Sequence, residues 1–261
     1  MNDVSRETPS APDRARGVFP SERLPVAQRY AELLATEGVV RGLIGPREVP
    51  RLWDRHLVNC ALVAQVVSPG ASVCDVGSGA GLPGLVLAIA RPDLTVTLVE
   101  PLLRRTTFLE EVVSALGLER VDVVRGRADS LHGHRRFAVV TSRAVAPLDR
   151  LLRWSMPLVE PEGALVAMKG SSVTEEVEAA RPVLDELGCA EPEVVVLTGP
   201  SDEPASGGGT PPAAPSTATV LRVAWAEPGR VTWPIAAPSS GGRTEQRAGR
   251  GRTKAHRRRR A

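Results

Sequence analysis

The sequence predicts an α/β protein: a mostly parallel seven-stranded sheet with helices on both faces, an antiparallel C-terminal hairpin, and an N-terminal helical segment ahead of it. Three observations predict this class. Short apolar runs alternate with longer stretches of helical periodicity, and a parallel crossover needs a dozen or more residues and returns through a helix. A glycine-rich turn joins the first of those runs to the helix that follows. Two last apolar runs, Val194 to Leu197 and Thr219 to Trp225, have no helix between them, so they pair antiparallel across an oversized loop.

The elements follow in order. Leu24, Ala27, Tyr30, Leu33 and Leu34 recur at helical spacing, as do Val49, Leu52, Trp53, Leu57, Cys60, Val63 and Ala64, until Ser68-Pro69-Gly70 stops the pattern. Residues 21–70 are therefore a helical segment ahead of a main domain over 71–235. In that domain, strands are predicted at 72–76, 95–99, 121–124, 137–141 and 164–168, and helices at 84–90, 103–116, 148–159 and 173–187. Residues 1–20 are rich in Pro, Ser and charge and are expected to be disordered, as is the Arg-rich tail over 236–261. The segment 199–218, GPSDEPASGGGTPPAAPSTA, has almost no large apolar group and reads as a flexible loop.

With 261 residues the chain has ample length to bury a core. Its three cysteines, Cys60, Cys74 and Cys189, lie in apolar stretches and exclude a disulfide scaffold; reduced thiols in a cytoplasmic protein are expected. The N-terminus lacks the apolar core of a signal peptide, and no run of 18 apolar residues occurs, so neither secretion nor a membrane partner is expected.

The formal net charge of +3 is unevenly divided. Residues 243–260 hold nine of the 33 basic residues and one of the 30 acidic ones, leaving the body at −5. An acidic globule with a cationic extension fits a polyanionic partner, and arginine runs suit the phosphates of nucleic acid. Aromatic residues make up only 3%, which argues against a base-stacking platform and for RNA recognition by shape and phosphate.

The strongest chemical signal is Asp75-Val76-Gly77-Ser78-Gly79-Ala80-Gly81-Leu82-Pro83-Gly84, between the first strand and a helix. Glycines let the backbone turn sharply and approach a ligand at a helix N-terminus that offers free N–H groups. Gly79-x-Gly81-x-x-Gly84 also satisfies the dinucleotide fingerprint, and Glu100, at the end of the second strand, is placed to accept ribose hydroxyls. Asp75 favours S-adenosylmethionine (AdoMet) over NAD, because a carboxylate there suits the ammonium of a methionine moiety. Ala128 and Asp129, beyond the third strand, suit an adenine. Arg143 follows the fourth strand and Lys169 the fifth, where ligands of open α/β sheets bind, so an anion is expected beside them. Arg51, Arg55 and Asn59 share one face of a helix, where arginines suit phosphate or simply face solvent.

Together these residues resemble the 16S ribosomal RNA guanine N7 methyltransferase family, also called the glucose-inhibited division protein B family, among the Rossmann-like class I AdoMet-dependent methyltransferases. The resemblance spans about Leu24 to Leu197 and rests on DVGSGAGLPGL at 75–85, RLWDRHLVNC at 51–60, VTSRAVAPL at 140–148 and AMKG at 167–170. It implies a cofactor loop of Gly77, Gly79, Gly81 and Leu82, with Glu100 on the ribose and Ala128 and Asp129 on the adenine. It further implies that Arg143 lies beside the cofactor and that Arg55, His56, Asn59 and Lys169 surround the pocket. The implied substrate is a single guanine, position 527 of the 530 loop in the usual rRNA numbering, in 16S rRNA or the small ribosomal subunit. A monomer is the default.

Other chemistries fit the sequence less well. No cysteine sits beside a proline in a loop, as a cytosine C5 enzyme would need, and Thr141-Ser142-Arg143-Ala144 stands where an exocyclic-amine enzyme would carry Asn/Asp-Pro-Pro-aromatic. The four histidines, His56, His132, His134 and His256, form no metal-ligand spacing, so no metal is expected. Two readings compete from other classes: an NAD-binding reductase or regulatory nucleotide-binding protein, and a non-enzymatic RNA-binding module.

Overall fold

The computed structural model describes residues 10–143, 146–200 and 215–232. It holds a seven-stranded sheet of β1 (Ser72–Val76), β2 (Thr95–Glu100), β3 (Val121–Arg125), β4 (Phe137–Arg143), β5 (Val159–Lys169), β6 (Glu193–Thr198) and β7 (Thr217–Ala224), in the order β3-β2-β1-β4-β5-β7-β6. The five strands β1 to β5 run parallel; β7 pairs antiparallel with both β5 and β6. The hairpin forms as predicted, with its second strand innermost and its first on the edge.

Alternating side chains sort the strands between two cores. Val73, Val96, Leu98, Val139, Val166 and Val220 pack with the N-terminal helices, α3 (Gly84–Ala90) and α4 (Leu103–Leu116). Cys74, Val99, Val140, Leu165, Ala167 and Leu221 face α5 (Leu148–Ser155) and α6 (Val173–Leu187). Helices α3, α4 and α6 cover the predicted residues. The last two stop at Gly117 (φ +62°) and Gly188 (φ +70°), left-handed positions that glycine adopts at little cost.

Four expectations are corrected. Residues 10–20, expected to be disordered, are ordered: a 3-10 turn at Asp13–Gly17 buries Ala15, and Phe19 packs edge-on against Trp53 with ring centroids 6.2 Å apart. Burying one phenylalanine contributes about 1.5–3 kcal/mol, enough to hold a polar segment down. The helix predicted at 148–159 ends at Ser155, where a 3-10 turn over Met156–Leu158 containing Pro157 takes over, and β5 begins at Val159 rather than 164. The second N-terminal helical pattern is irregular: a 3-10 turn over Pro46–Arg51 holds Pro50, a π-helical segment runs over Leu52–Val58, and α2 (Asn59–Leu62) follows. The ends of the predicted 199–218 loop belong to the hairpin, where the Gly199 N–H donates to the Ser216 carbonyl at 2.8 Å. The expectations for 1–9, 201–214 and 236–261 lie outside the described residues. Among those described, no helix is long and apolar enough to cross a membrane.

Candidate active site

The carboxyl ends of β1 to β5 form one edge of the sheet, and two cavities open there. Between them in strand order lies the glycine loop after β1. Gly77, Gly79 and Gly81 have φ of +72°, +57° and +100°. A Cβ on Gly81 would fall 2.3 Å from Leu85 Cδ1 and 2.9 Å from the Tyr30 hydroxyl oxygen. One on Gly79 would meet only the Gly77 carbonyl at 3.8 Å, so that glycine fronts open space. The loop is a cradle whose bare side a side chain would fill.

Buried groups hold the cradle. Glu100, 1% exposed, accepts from the Gly79 N–H at 3.1 Å, the Leu102 N–H at 3.1 Å and Arg105 Nη1 at 3.3 Å. Asp75 is fully buried and accepts from the Gly84 N–H at 3.0 Å through Oδ2; Oδ1 has no partner, and burial pushes its pKa up to about 7. Asp75 thereby anchors the helix N-terminus beneath the loop, with no exposed surface and one carboxylate oxygen without a partner. Leu82 is likewise buried, in the core, so its contribution to the loop is through its backbone.

Tyr30, read in the sequence only as an apolar helix position, is the other support. Its hydroxyl donates to the Ala80 carbonyl at 2.7 Å inside the core. Tyr30→Phe leaves that carbonyl unsatisfied, at a cost of about 1–3 kcal/mol. The expected result is a lower Tm and weaker cofactor binding, measured by thermal unfolding and calorimetry; an unchanged cofactor affinity would detach Tyr30 from the loop.

The smaller cavity, about 160 Å³, lies at the ends of β1, β2 and β3 and is lined by Gly77, Val99, Pro101, Ala128, Asp129 and Trp154, among others. Ala128 and Asp129 thus stand where expected. Trp154 was not predicted; it reaches the cavity from α5, and the Arg127 guanidinium lies 5.8 Å from its ring. Its apolar walls fit a flat ring system.

The larger cavity, about 930 Å³, lies at the ends of β4 and β5 and brings together Arg55, His56, Asn59, Arg143 and Lys169. The π-helical segment presents Arg55 and His56 to it and the first residue of α2 presents Asn59, whereas Arg51 stands outside its lining, so the predicted three-residue face is only partly realised. Lys169 is not aimed at an open anion: its Nζ donates to Glu176 at 2.6 Å, and the side chain is 8% exposed. Glu176 thus supplies, from within the chain, an anion beside one of the two strand-end cations.

Arg143 differs. Its guanidinium is half-buried and donates to His56 Nδ1 at 2.6 Å and to Cys60 Sγ at 3.5 Å, and among the described residues no carboxylate pairs with it. Because a guanidinium can only donate, His56 Nδ1 accepts, and the ring proton must sit on Nε2, 3.0 Å from Glu48 Oε2. Burial, then the charge of Arg143, hold the His56 pKa below its usual value, so the imidazole is neutral at physiological pH. Glu48, unremarkable in sequence, orients His56, which orients Arg143.

Acid tests this relay. Protonation turns Nδ1 into a donor facing a cation, so activity is expected to fall as pH drops below the ordinary histidine range, and His56→Gln is expected to remove that limb of the pH–rate profile. An unchanged acid limb would exclude His56 as its source.

A third cavity, about 770 Å³, lies along α5 and α6 and shares Asp129 and Trp154 with the smaller one. Its arginines are already paired, Arg153 with Glu186 and Arg230 with Glu227, each at 2.6 Å. It borders neither the glycine loop nor Arg143, and the two cavities flanking that loop form the better site. Among the described residues, no group of His, Cys, Asp or Glu is placed to hold a metal ion.

The family model described as rRNA small subunit methyltransferase G matches residues 23–203. The chain is 67% identical over 258 residues to the ribosomal RNA small subunit methyltransferase G of a Nocardioides species, covering 99% of this chain and 98% of that one. The protein of the same name from Kineococcus radiotolerans is 48% identical, covering 95% and 96%. A solved SAM-dependent O-methyltransferase from Thermotoga maritima shares the fold at a TM-score of 0.50 and 18% identity, over 64% of each chain. Seven strands in this order, a glycine cradle after β1 and full-length identity of this size lead to one conclusion: the chain belongs to the rRNA small subunit methyltransferase G family.

Proposed function

We propose that this enzyme transfers a methyl group from AdoMet to N7 of a guanine in 16S rRNA, position 527 of the 530 loop, acting in the cytoplasm as a monomer on free rRNA or the small subunit. The observation that carries the reading is Arg143: a half-buried guanidinium without a carboxylate, beside the glycine cradle, facing a cavity large enough for a nucleobase. Such a cation is costly unless an anion joins it, and the cofactor carboxylate or an RNA phosphate would do so.

The residues present fit the cofactor. The loop from Gly77 to Leu82 would hold the methionine portion, Glu100 the ribose, and Ala128 and Asp129 the adenine against Val99, Pro101 and Trp154. Bound there, AdoMet supplies a sulfonium-activated methyl group. Glu100 spends three bonds on the loop and its neighbours and keeps lone-pair capacity for a hydroxyl.

The chain's chemistry suits an acceptor that needs no deprotonation. Both His56 nitrogens are committed, to Arg143 and to Glu48, so the ring is a poor general base. Burial pushes the Cys60 thiol up to about 11, which removes it as a thiolate nucleophile. Guanine N7 already offers a lone pair. What remains for Arg55, Asn59, Arg143 and Lys169 is to bind, orient and shield, and good alignment alone can supply roughly 7–11 kcal/mol of the barrier.

The test is incubation with radiolabelled AdoMet and small subunits lacking the modification, then digestion and nucleoside chromatography. Label in 7-methylguanosine supports the reading, and label in another nucleoside overturns the target atom. Calorimetry with NAD in place of AdoMet addresses the competing reductase. The Arg-rich tail is proposed to contact RNA phosphate: deleting residues 236–261 is expected to flatten the salt dependence of RNA binding and leave AdoMet affinity unchanged.

A further inference from the structure

The arginines of this protein divide by location. Those on the flanks are paired: Arg29 with Glu32, Arg41 with Glu111, Arg91 with Asp93, Arg135 with Asp122, Arg181 with Glu191 and Arg222 with Glu193. Among the described residues, Arg47, Arg51, Arg104, Arg125 and Arg150 have neither an ion pair nor a hydrogen bond, and all five are exposed.

All five belong to the edge where the two cavities open. Arg125 is the last residue of β3, next to Gly126 of the smaller cavity's lining, and Arg104 is in the first turn of α4, three residues after Pro101 of that lining. Arg150 is in the first turn of α5, just beyond Ala146 of the larger cavity. Arg47 and Arg51 bracket Glu48 of that cavity, and Arg51 is near enough to help depress the Glu48 pKa. Followed along the strand order, these residues form a crescent from the outer rim of one cavity to the outer rim of the other.

Exposed acids without an ion pair gather toward the opposite edge. Glu119 precedes β3, Glu162 lies in the first half of β5, and Asp185 is in the last turn of α6. Glu22, just before the first helix, and Glu110, midway along α4, are also exposed and without an ion pair, and Glu175, in the first turn of α6, is the exception at the cationic edge. The globule thus carries a charge gradient along its strands, positive where the site opens, despite a body that is acidic overall. Unpaired, solvated guanidiniums keep all their donors for a ligand, and their fork geometry matches phosphate oxygens.

We propose that this crescent is the surface that docks the RNA backbone flanking the target base, with Arg104 and Arg125 on one side of the site and Arg47, Arg51 and Arg150 on the other. The inference rests on the proposed RNA substrate and assigns its docking surface on the folded body, apart from the tail. Phosphates bridging the crescent would hold the strand across both cavities, so that one splayed-out base enters the larger one. The acidic edge repels the strand and sets its approach.

The experiment compares two full-length variants carrying the same charge change. One replaces the five crescent arginines by glutamine; the control replaces Arg29, Arg41, Arg135, Arg181 and Arg222 by glutamine. Each is titrated with a small-subunit rRNA fragment by filter binding at several KCl concentrations, and AdoMet affinity is measured by calorimetry. For the crescent variant, the salt slope is expected to shrink by about 0.7 for each single-strand phosphate that is no longer neutralised, with RNA affinity at 100 mM KCl falling tenfold or more. Its AdoMet affinity should stay within twofold of wild type, and the control should keep the wild-type slope. Equal slopes for the two variants, with wild-type RNA binding intact, overturn the crescent alone. Wild-type protein that binds AdoMet yet neither binds nor methylates the RNA overturns the substrate reading, and the crescent with it.

Discussion

Gly79→Val is expected to abolish cofactor binding, with calorimetric affinity falling more than 100-fold while the circular dichroism of the sheet is retained. Gly79 stands at φ +57°, where a β-branched residue is a severe outlier costing on the order of 1–3 kcal/mol. The new side chain would also project from the bare face of the cradle, where only the Gly77 carbonyl lies within 4 Å. Relaxing φ to relieve the strain would swing the Gly79 N–H away from Glu100 and leave a buried carboxylate short of a donor. Strain and steric block act together, and neither touches the two cores. A variant that binds AdoMet as wild type does would remove the loop from the site.

Arg143→Gln is expected to lower the methylation rate at saturating AdoMet at least 100-fold, with a Tm shift of only a few degrees. Glutamine spans part of the same space and can still donate to His56 Nδ1, so the Glu48–His56 arrangement keeps a partner. What disappears is a guanidinium that, among the described residues, has no carboxylate partner. Interactions made more strongly in the transition state than in the ground state appear in kcat, so a change confined to KM would reassign Arg143 to simple binding. Lys169→Gln provides the contrast: its charge is already matched by Glu176, and a smaller loss is expected.

Much of the fold was legible because its signals are local. Helices α4 and α6 end at glycines that adopt left-handed backbone, and the alternation of apolar runs with helices admits few topologies. The glycine loop was legible because its spacing reflects backbone geometry. What escaped the sequence depends on long-range partners. Phe19 orders the N-terminal segment only because Trp53 is there to receive it. Glu48 and Tyr30 matter through hydrogen bonds with His56 and Ala80, 8 and 50 residues away, which periodicity cannot show. The position of Lys169 at the end of β5 was legible, but not its pairing with Glu176, because the first turn of α6 decides which acid faces the strand end.

The placement of β7 between β5 and β6 bears on how the chain is made. Until residue 224 has left the ribosome, β5 lacks its outer neighbour, and Ala164–Lys169, mostly apolar, presents unpaired backbone groups along a bare rim. A nascent chain paused before Thr217 would hold every residue of the glycine cradle and both strand-end cations and still expose an adhesive edge. Premature stops before Thr217 should therefore yield insoluble protein rather than a smaller working enzyme. The last strand is less an appendage than the closure that makes the preceding six safe to release.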